Sequence, residues 1–450
     1  MITNCVMRKG FVISASLLLA ALVSVPVHGA IYYVATSGSD TNPGTEIQPW
    51  RTIQKAAVTL VADDTVYIKA GTYNEKVVPQ NSGIPGNYIT YAAYPGDTVT
   101  LDGTNITLDW RDALFTIEGK SYIKISGFRI INSLSPYNSV GIYLKEGAQQ
   151  DHVVIENNYF LNISGAAICA YSCGNLIIDN NEITEVNVGQ GPNSRGSGEA
   201  ISVCDIHTFE FKNNHIHHTY KEGIDPKESS NGRIHKNHIH DIARIGIYLD
   251  AWDGPEHDID IYQNVVHDTS GHGISLAIEQ KGGSLKNIGI YNNIVYSNRA
   301  AGIAISSYHF PTPRENIKII NNVCYNNGHD GIYVGDVLVE NSVIRNNVCS
   351  ENQGYQIASD SPSMLTLEHN LINGSSQIYG NNAIIGDPKF VNPAGGDFHL
   401  REDSPAIDSG SSIDAPSDDF DGNPRPQGAG YDIGAFEFIG NGIDVPSNGK

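Results

Sequence analysis

Charge is scarce in this chain, and what there is leans one way. Only 17% of the 450 residues are charged, and 49 acidic residues against 28 basic ones leave a net charge of −21. Phosphate backbones are held by a basic face, so a nucleic-acid partner is excluded. Cysteine is equally thin. Of six, Cys5 lies in the leading segment, which leaves Cys169, Cys173, Cys204, Cys324 and Cys349. Five thiols cannot all pair within a monomer, so disulfides are not the scaffold. Apolar residues at helical spacing are missing too, except over Thr52–Val61, which excludes a helical bundle. Beyond residue 30 no run is long and apolar enough to span a bilayer.

The first thirty residues stand apart. Arg8 and Lys9 precede an apolar run from Phe11 to Val25, and Pro26, Gly29 and Ala30 follow. A charged start, a short apolar run and small residues read as a signal peptide over 1–30, cleaved near Ala30, rather than as a membrane anchor. The mature chain is then expected to be secreted (extracellular, periplasmic or at the cell surface) and monomeric.

Glycine, tyrosine and asparagine are plentiful, and the asparagines recur. They stand at Asn157-Asn158, Asn180-Asn181, Asn213-Asn214, Asn237, Asn264, Asn292-Asn293, Asn321-Asn322, Asn346-Asn347 and Asn370. From Asn158 the steps are 23, 33, 23, 27, 29, 29, 25 and 23 residues. A second element runs in phase: Gly141-Ile-Tyr-Leu-Lys145, Ala200-Ile-Ser-Val-Cys204, Gly223-Ile-Asp-Pro-Lys227, Gly246-Ile-Tyr-Leu-Asp250, Gly273-Ile-Ser-Leu-Ala277, Gly302-Ile-Ala-Ile-Ser306 and Gly331-Ile-Tyr-Val-Gly335. Positions two and four are nearly always aliphatic and three and five vary, the mark of a strand with one buried face. A period near 25 built from short strands signals a solenoid. The fold class expected is all-β: a right-handed parallel β-helix over 31–385 with an N-terminal helical cap. The recurrent Asn fits a left-handed turn position from which its side chain reaches the next Asn in the stack. Cys324 and Cys349 share the Asn-Asn-Val-Cys context and should stack inside, as a disulfide or as buried thiols.

Both ends depart from the repeat. The leading segment, Tyr32-Tyr-Val-Ala-Thr-Ser-Gly-Ser-Asp40 followed by the Thr52–Val61 helix, resembles that of secreted carbohydrate-active β-helix proteins. Residues 386–438, with Ser404-Pro-Ala-Ile-Asp-Ser-Gly410 and Asp432-Ile-Gly-Ala-Phe-Glu437, resemble the terminal module that follows many bacterial surface β-helices. Its acidic cluster, Asp418, Asp419 and Asp421, reads as Asp-Gly turns, with a Ca²⁺ loop as the alternative. Residues 439–450 read as a loose tail.

Equivalent positions in successive coils form columns about 4.8 Å apart, so the repeat doubles as a surface map. Glu199 and Glu222 each precede position one, Asp225 and Tyr248 occupy position three, and Lys227 and Asp250 position five. The expectation is an outward-facing patch of these six, flanked by Arg195 and Arg244, with Tyr143 and Lys145 in the same columns further along. Stacked carboxylates repel, which calls for a cation or a proton between them.

The stretch Glu222-Gly-Ile-Asp-Pro-Lys-Glu228 is similar to a motif of the mannuronan C5-epimerases, Tyr-Gly-Phe-Asp-Pro-His-Glu. Gly223, Asp225, Pro226 and Glu228 match, Asp250 falls where a later catalytic Asp stands, and Glu222 and Lys227 replace the Tyr and the His. The chondroitinase B-like lyases place a Ca²⁺-binding Glu five residues before a catalytic Lys, as Glu222 stands before Lys227. The resemblance implies a polysaccharide lyase: removal of the C5 proton of a uronate, with Ca²⁺ on Glu199 and Glu222 or a flanking Arg neutralising the substrate carboxylate. Lys227 is then the base, unless Asp225 and Asp250 raise its pKa. In that case it neutralises the substrate and Tyr248 moves the proton. A glycoside hydrolase using paired carboxylates of the same patch, Asp250 with Glu279 among them, is the alternative. A C5-epimerase, or a non-catalytic binder with Tyr143, Tyr248, Trp252 and Tyr333 as sugar platforms, follows. Substrate contacts are expected from Tyr143, Lys145, Arg195, Arg244, Trp252 and Glu279. Histidines recur at His215-Ile-His-His218 and His238-Ile-His240, where they read as turn residues, with a zinc site as the alternative.

Overall fold

The computed structural model describes residues 29–440 except 136–137, 190–197, 307–311, 313, 336 and 361–364. Residues 1–28, which hold most of the expected signal peptide, Arg195 and the final ten residues lie outside the described residues. The chain winds as a parallel β-solenoid. A thirteen-stranded sheet forms one side, and a twenty-two-stranded sheet the rest. The long strands Ile168–Asp179 and Ile201–Lys212 turn from one face of the larger sheet into the next and join its two runs. A typical coil therefore contributes three strands: Ile224–Lys227, Ser230–His235 and His238–Ile242, stacked on Ile247–Ala251, Pro255–Tyr262 and Val265–His267 of the next.

Alternation builds the core. Position two of the repeat gives the column Ile201, Ile224, Ile247, Ile274, Ile303, Ile332 and Ile357, each in register with the next and buried. β-branched side chains suit this pleated surface, and each full burial contributes about 1.5–3 kcal/mol. Position one is usually Gly because the facing strand of its own coil and the backbone of the next leave little room. A Cβ at Gly246 or Gly273 would lie 2.4 or 2.3 Å from a methyl of Val266 or Val295 across the core, and 2.7 or 2.8 Å from the carbonyl of Gly273 or Gly302 in the next coil.

Two neighbouring residues divide the work expected of one Asn. The first takes the left-handed turn: Asn157, Asn180, Asn213, Lys236, Gln263, Asn292, Asn321, Asn346 and His369 all have φ between 52° and 56°. The second points inward and stacks. The backbone amide and the side-chain NH₂ of Asn237 both donate to Asn264 Oδ1, and Asn264 does the same to Asn293. The same pattern runs from Asn158 to Asn370.

At the N-terminal end the helix is Ile53–Thr59, capped by Thr52 and by the Glu75 carboxylate, which accepts from the amides of Ile53 and Gln54. Its Ile53, Ala56 and Ala57 close the solenoid core. The C-terminal module lies on the outside of the thirteen-stranded sheet, where Phe390, Phe398, Leu400, Ile433 and Phe436 pack on Ile294, Val323, Val348 and Leu371. Asp419 is buried and accepts the amides of Asp421, Asn423 and Glu437, so this acid serves a turn. Cys324 and Cys349 pair in register as buried free thiols. No helix among the described residues is long and apolar enough to cross a membrane.

Candidate active site

The strand Ile224–Lys227 carries the centre of the site. Pro226 sits within it and has no amide to give to the next coil. Register with the following strand is kept at Ile224↔Ile247, which sets Asp225 level with Tyr248 and Lys227 level with Asp250. The Lys227 ammonium lies 3.4 Å from Glu199 Oε1, 3.4 Å from Asp250 Oδ2 and in contact with Asp225 Oδ2. Ser202 donates to Glu199 Oε2 at 2.5 Å, and Lys221 Nζ approaches Oε1 at 3.9 Å. Arg244 Nε holds Glu222 Oε1 at 3.1 Å. One coil on, Tyr248 donates its hydroxyl to Glu279 Oε1 at 2.5 Å.

These groups were expected on an open surface, and the structure corrects that. Asp225 is 1% exposed, Asp250 2%, Glu222 3% and Glu199 6%. The acids turn toward one another around the Lys227 ammonium instead of standing out into water, and burial makes every unmatched oxygen costly. Several remain unmatched: Glu222 Oε2, Asp225 Oδ1, Asp250 Oδ1 and both oxygens of Glu256.

Burial and neighbouring charges then sort the protons. Burial would discharge Lys227, but Asp225, Glu199 and Asp250 outweigh it and hold the ammonium well above its ordinary pKa. Burial works against Glu199 as well, yet Lys227, Lys221 and the Ser202 hydroxyl pull it down to about 2. Asp250 is pushed up to about 7 by burial, with Lys227 opposing and Glu279 adding. Burial lifts Asp225 well above the carboxylate range, Lys227 offsetting only part. Burial likewise raises Glu222, with Glu199 adding, and takes Glu256 far up beside Asp225 and Asp250. At neutral pH the site holds a fixed cation (Lys227), a fixed anion (Glu199) and a proton exchanged near Asp250.

Residues 140–317, which include the whole cluster, match the family model described as a right handed beta helix region. The fold is a right-handed parallel β-helix. Solved structures of the same architecture include XylC in complex with xylose, with a TM-score of 0.61 at 14% identity, covering 91% of this chain and 98% of that one. Pectate lyase Pel9A superposes at 0.55 and 15% identity over 91% and 96%. The periplasmic alginate epimerase AlgG follows at 0.51 and 15% over 73% and 78%. In sequence the chain is 32% identical over 143 residues to the uncharacterized protein YwoF of Bacillus subtilis (31% of this chain, 30% of the relative). It is 28% identical over 147 residues to pectate lyase PEL9 of Emericella nidulans (30% and 35%). The chain spans about a third of the length of these curated relatives.

On the β-helix frame, Glu199, Glu222, Asp225, Lys227, Asp250 and Arg244 come together, and Tyr248 joins Glu279 beside them. Tyr143 and Lys145 do not. Tyr143 stands in the Asp225 column, but Cys169 and Ser202 intervene, which separates them by three coil steps or about 14 Å. Its hydroxyl accepts the Glu146 amide, and Lys145 pairs with Glu118 at 2.7 Å. Trp252 is half-exposed at the rim, next to Asp253, whose amide donates to Glu228 Oε1. Three members were missed: Lys221, Ser202 and Glu256. Glu256 had a visible signal, because in Pro255-Glu-His-Asp-Ile-Asp-Ile-Tyr262 it takes an inward position whose partner one coil on is Leu285. The histidines of 215–218 and 238–240 are also displaced from expectation. They lie on strands, because the turn is already completed by Asn213-Asn214 and Lys236-Asn237.

Proposed function

We propose that this protein is a secreted polysaccharide lyase that cleaves a uronic-acid-containing glycan by β-elimination at the Lys227 cluster. The observation that carries the reading is the convergence of Glu199, Asp225 and Asp250 on one buried ammonium, with Asp250 titrating near 7. A C5 proton is acidic enough to remove only when the neighbouring carboxylate is neutralised. Lys227 is held too firmly as a cation to be the base, so in this reading it faces the uronate carboxylate. Glu199 and Glu222, expected as Ca²⁺ ligands, already hold Ser202, Lys221, Lys227 and Arg244, and no step needs a metal. Tyr248 takes the C5 proton as its own passes to Glu279. The C5–H electrons form the C4=C5 double bond, the C4–O4 bond breaks, and Asp250 gives its proton to the departing oxygen. A protonated Glu256 and an Asp250 pushed up to about 7 make the site less negative than its acid count, which lets a polyanion approach.

One observation also favours hydrolysis. An acid titrating near 7 beside further carboxylates is the pairing that glycosidic cleavage by water uses, with Asp250 as acid and Glu279 as base. The deciding experiment incubates the protein with a panel of polyuronates and neutral glycans, following ultraviolet absorbance of unsaturated uronates and new reducing ends together. A rise in absorbance that vanishes in Lys227→Ala and Tyr248→Phe supports elimination. New reducing ends from a neutral glycan without absorbance overturn it in favour of hydrolysis, and binding without either product reduces the protein to a glycan binder.

A further inference from the structure

Histidines cluster on the thirteen-stranded sheet, away from the strands that carry Lys227. His215 and His217 point outward from strand His215–Thr219, His238 and His240 from His238–Ile242, and His267 from Val265–His267. Register stacks them as two columns, His215↔His238 and His217↔His240↔His267. The rings are nearly parallel along each column, at 9° for His215 and His238, 5° for His217 and His240, and 8° for His240 and His267.

Across the columns the nitrogens face one another. His215 Nε2 lies 2.8 Å from His240 Nε2, and His238 Nε2 lies 2.9 Å from His267 Nε2. Asp241 binds His240 Nδ1 at 2.8 Å and Asp268 binds His267 Nδ1 at 2.7 Å, which places the proton on Nδ1 and turns the Nε2 lone pair inward. This carboxylate–imidazole arrangement is how proteins orient a histidine toward a metal. One ligand nitrogen each from His215, His238 and His240 lies within 4.8 Å of the others, and the trio Glu182, His215 and His217 meets the same limit. Nitrogens on a tetrahedral Zn²⁺ at about 2.0–2.1 Å stand about 3.4 Å apart, so a small opening of the rings seats an ion. Buried His217 Nε2 makes no hydrogen bond and lies 3.7 Å from Glu182 Oε1.

We infer that His215, His238 and His240 form a binding site for one late first-row divalent cation, Zn²⁺ as its simplest occupant, on the face of the solenoid opposite in role to the glycan site. Binding needs His215 to shift its proton from Nε2 to Nδ1, and His238, whose Nε2 hydrogen is given to His267 Nε2, to ligate through Nδ1 or make the same shift; water completes the tetrahedron. Three imidazoles and an open position select Zn²⁺, Ni²⁺ or Cu²⁺ over Ca²⁺ and Mg²⁺, which prefer oxygen.

The test is calorimetric titration of the full chain with Zn²⁺ alone, beside a Co²⁺ titration read by its visible bands. The expected result is one ion per chain, with tetrahedral Co²⁺ bands. His215→Gln, which removes a ligand common to both trios, is expected to weaken binding at least about 100-fold. The double variant His238→Gln/His240→Gln is expected to do the same, while Glu182→Gln/His217→Gln keeps the ion. These side chains project from the outer face, and an unchanged melting temperature without metal checks that folding is intact. Wild-type uptake no greater than that of His215→Gln overturns the site, since His207, His257 and His399 remain in both as background. Loss in Glu182→Gln/His217→Gln but not in the other pair overturns the assignment of the trio.

Discussion

The Asn158–Asn370 ladder and the Lys227 cluster both bury polar groups in this solenoid, and they are built on opposite terms. In the Asn158–Asn370 stack each inward side chain meets its partners: the amide of Asn264, for example, gives one hydrogen to Asn293 and the other to the Ile234 carbonyl. At the Lys227 cluster Asp225, Asp250 and Glu222 each keep an oxygen with no partner, and Glu256 keeps two. The first arrangement is what a chain does with buried polarity when only the fold is at stake. The second costs stability and persists where something outside the chain completes it. The difference sets the candidate site apart from the Asn ladder, although single unmatched atoms also occur elsewhere, at Gln150 and Arg425.

The comparison breaks most visibly if Lys227→Ala leaves turnover intact. The expected loss is at least about 10³-fold in kcat/KM, because the cation facing the substrate is gone. Asn264→Ala should do the reverse. It strips acceptors from the Asn237 amide and side chain, costing about 3 kcal/mol or more in a denaturation measurement while the folded fraction keeps its activity. Tyr248→Phe sharpens the contrast within the site, with an expected fall of about 10²-fold in kcat at unchanged melting temperature. The smallest effect concerns protons. Asp250 and Glu256 retain, when folded, protons that an unfolded chain releases from about pH 4 upward. The folded state binds more protons, so stability is full below about pH 4 and is lost as pH rises, through about 7 for Asp250. Glu256→Gln cannot release one, so its melting temperature should fall less between about pH 5 and pH 8 than that of the wild type. An equal or steeper fall would mean that Glu256 is already ionised.

The solenoid was legible because its rule is local: alternate aliphatics, a Gly where the next coil presses, and an Asn at every corner. The columns followed from the same rule and correctly set Asp225 beside Tyr248 and Lys227 beside Asp250. What the columns do not carry is distance along the axis or depth. Tyr143 and Lys145 share columns with the cluster yet sit three coils away. Asp225 and Asp250 are outward in the pleat yet buried, because side chains from several coils close around Lys227. Glu256 was not singled out, although its inward position, level with Leu285 one coil on, marked it. The histidines were taken for turn residues because the turn was drawn one position too wide.

The Asn stack also has a direction. Every Asn-to-Asn bond in it runs from an earlier coil to a later one: Asn158 donates to Asn181, Asn181 to Asn214, and so on to Asn370. The ladder is therefore polar along the solenoid axis: each coil hands its Asn donors to the next, and the last acceptor in the row is Asn370 Oδ1, like a zip whose teeth all face one way.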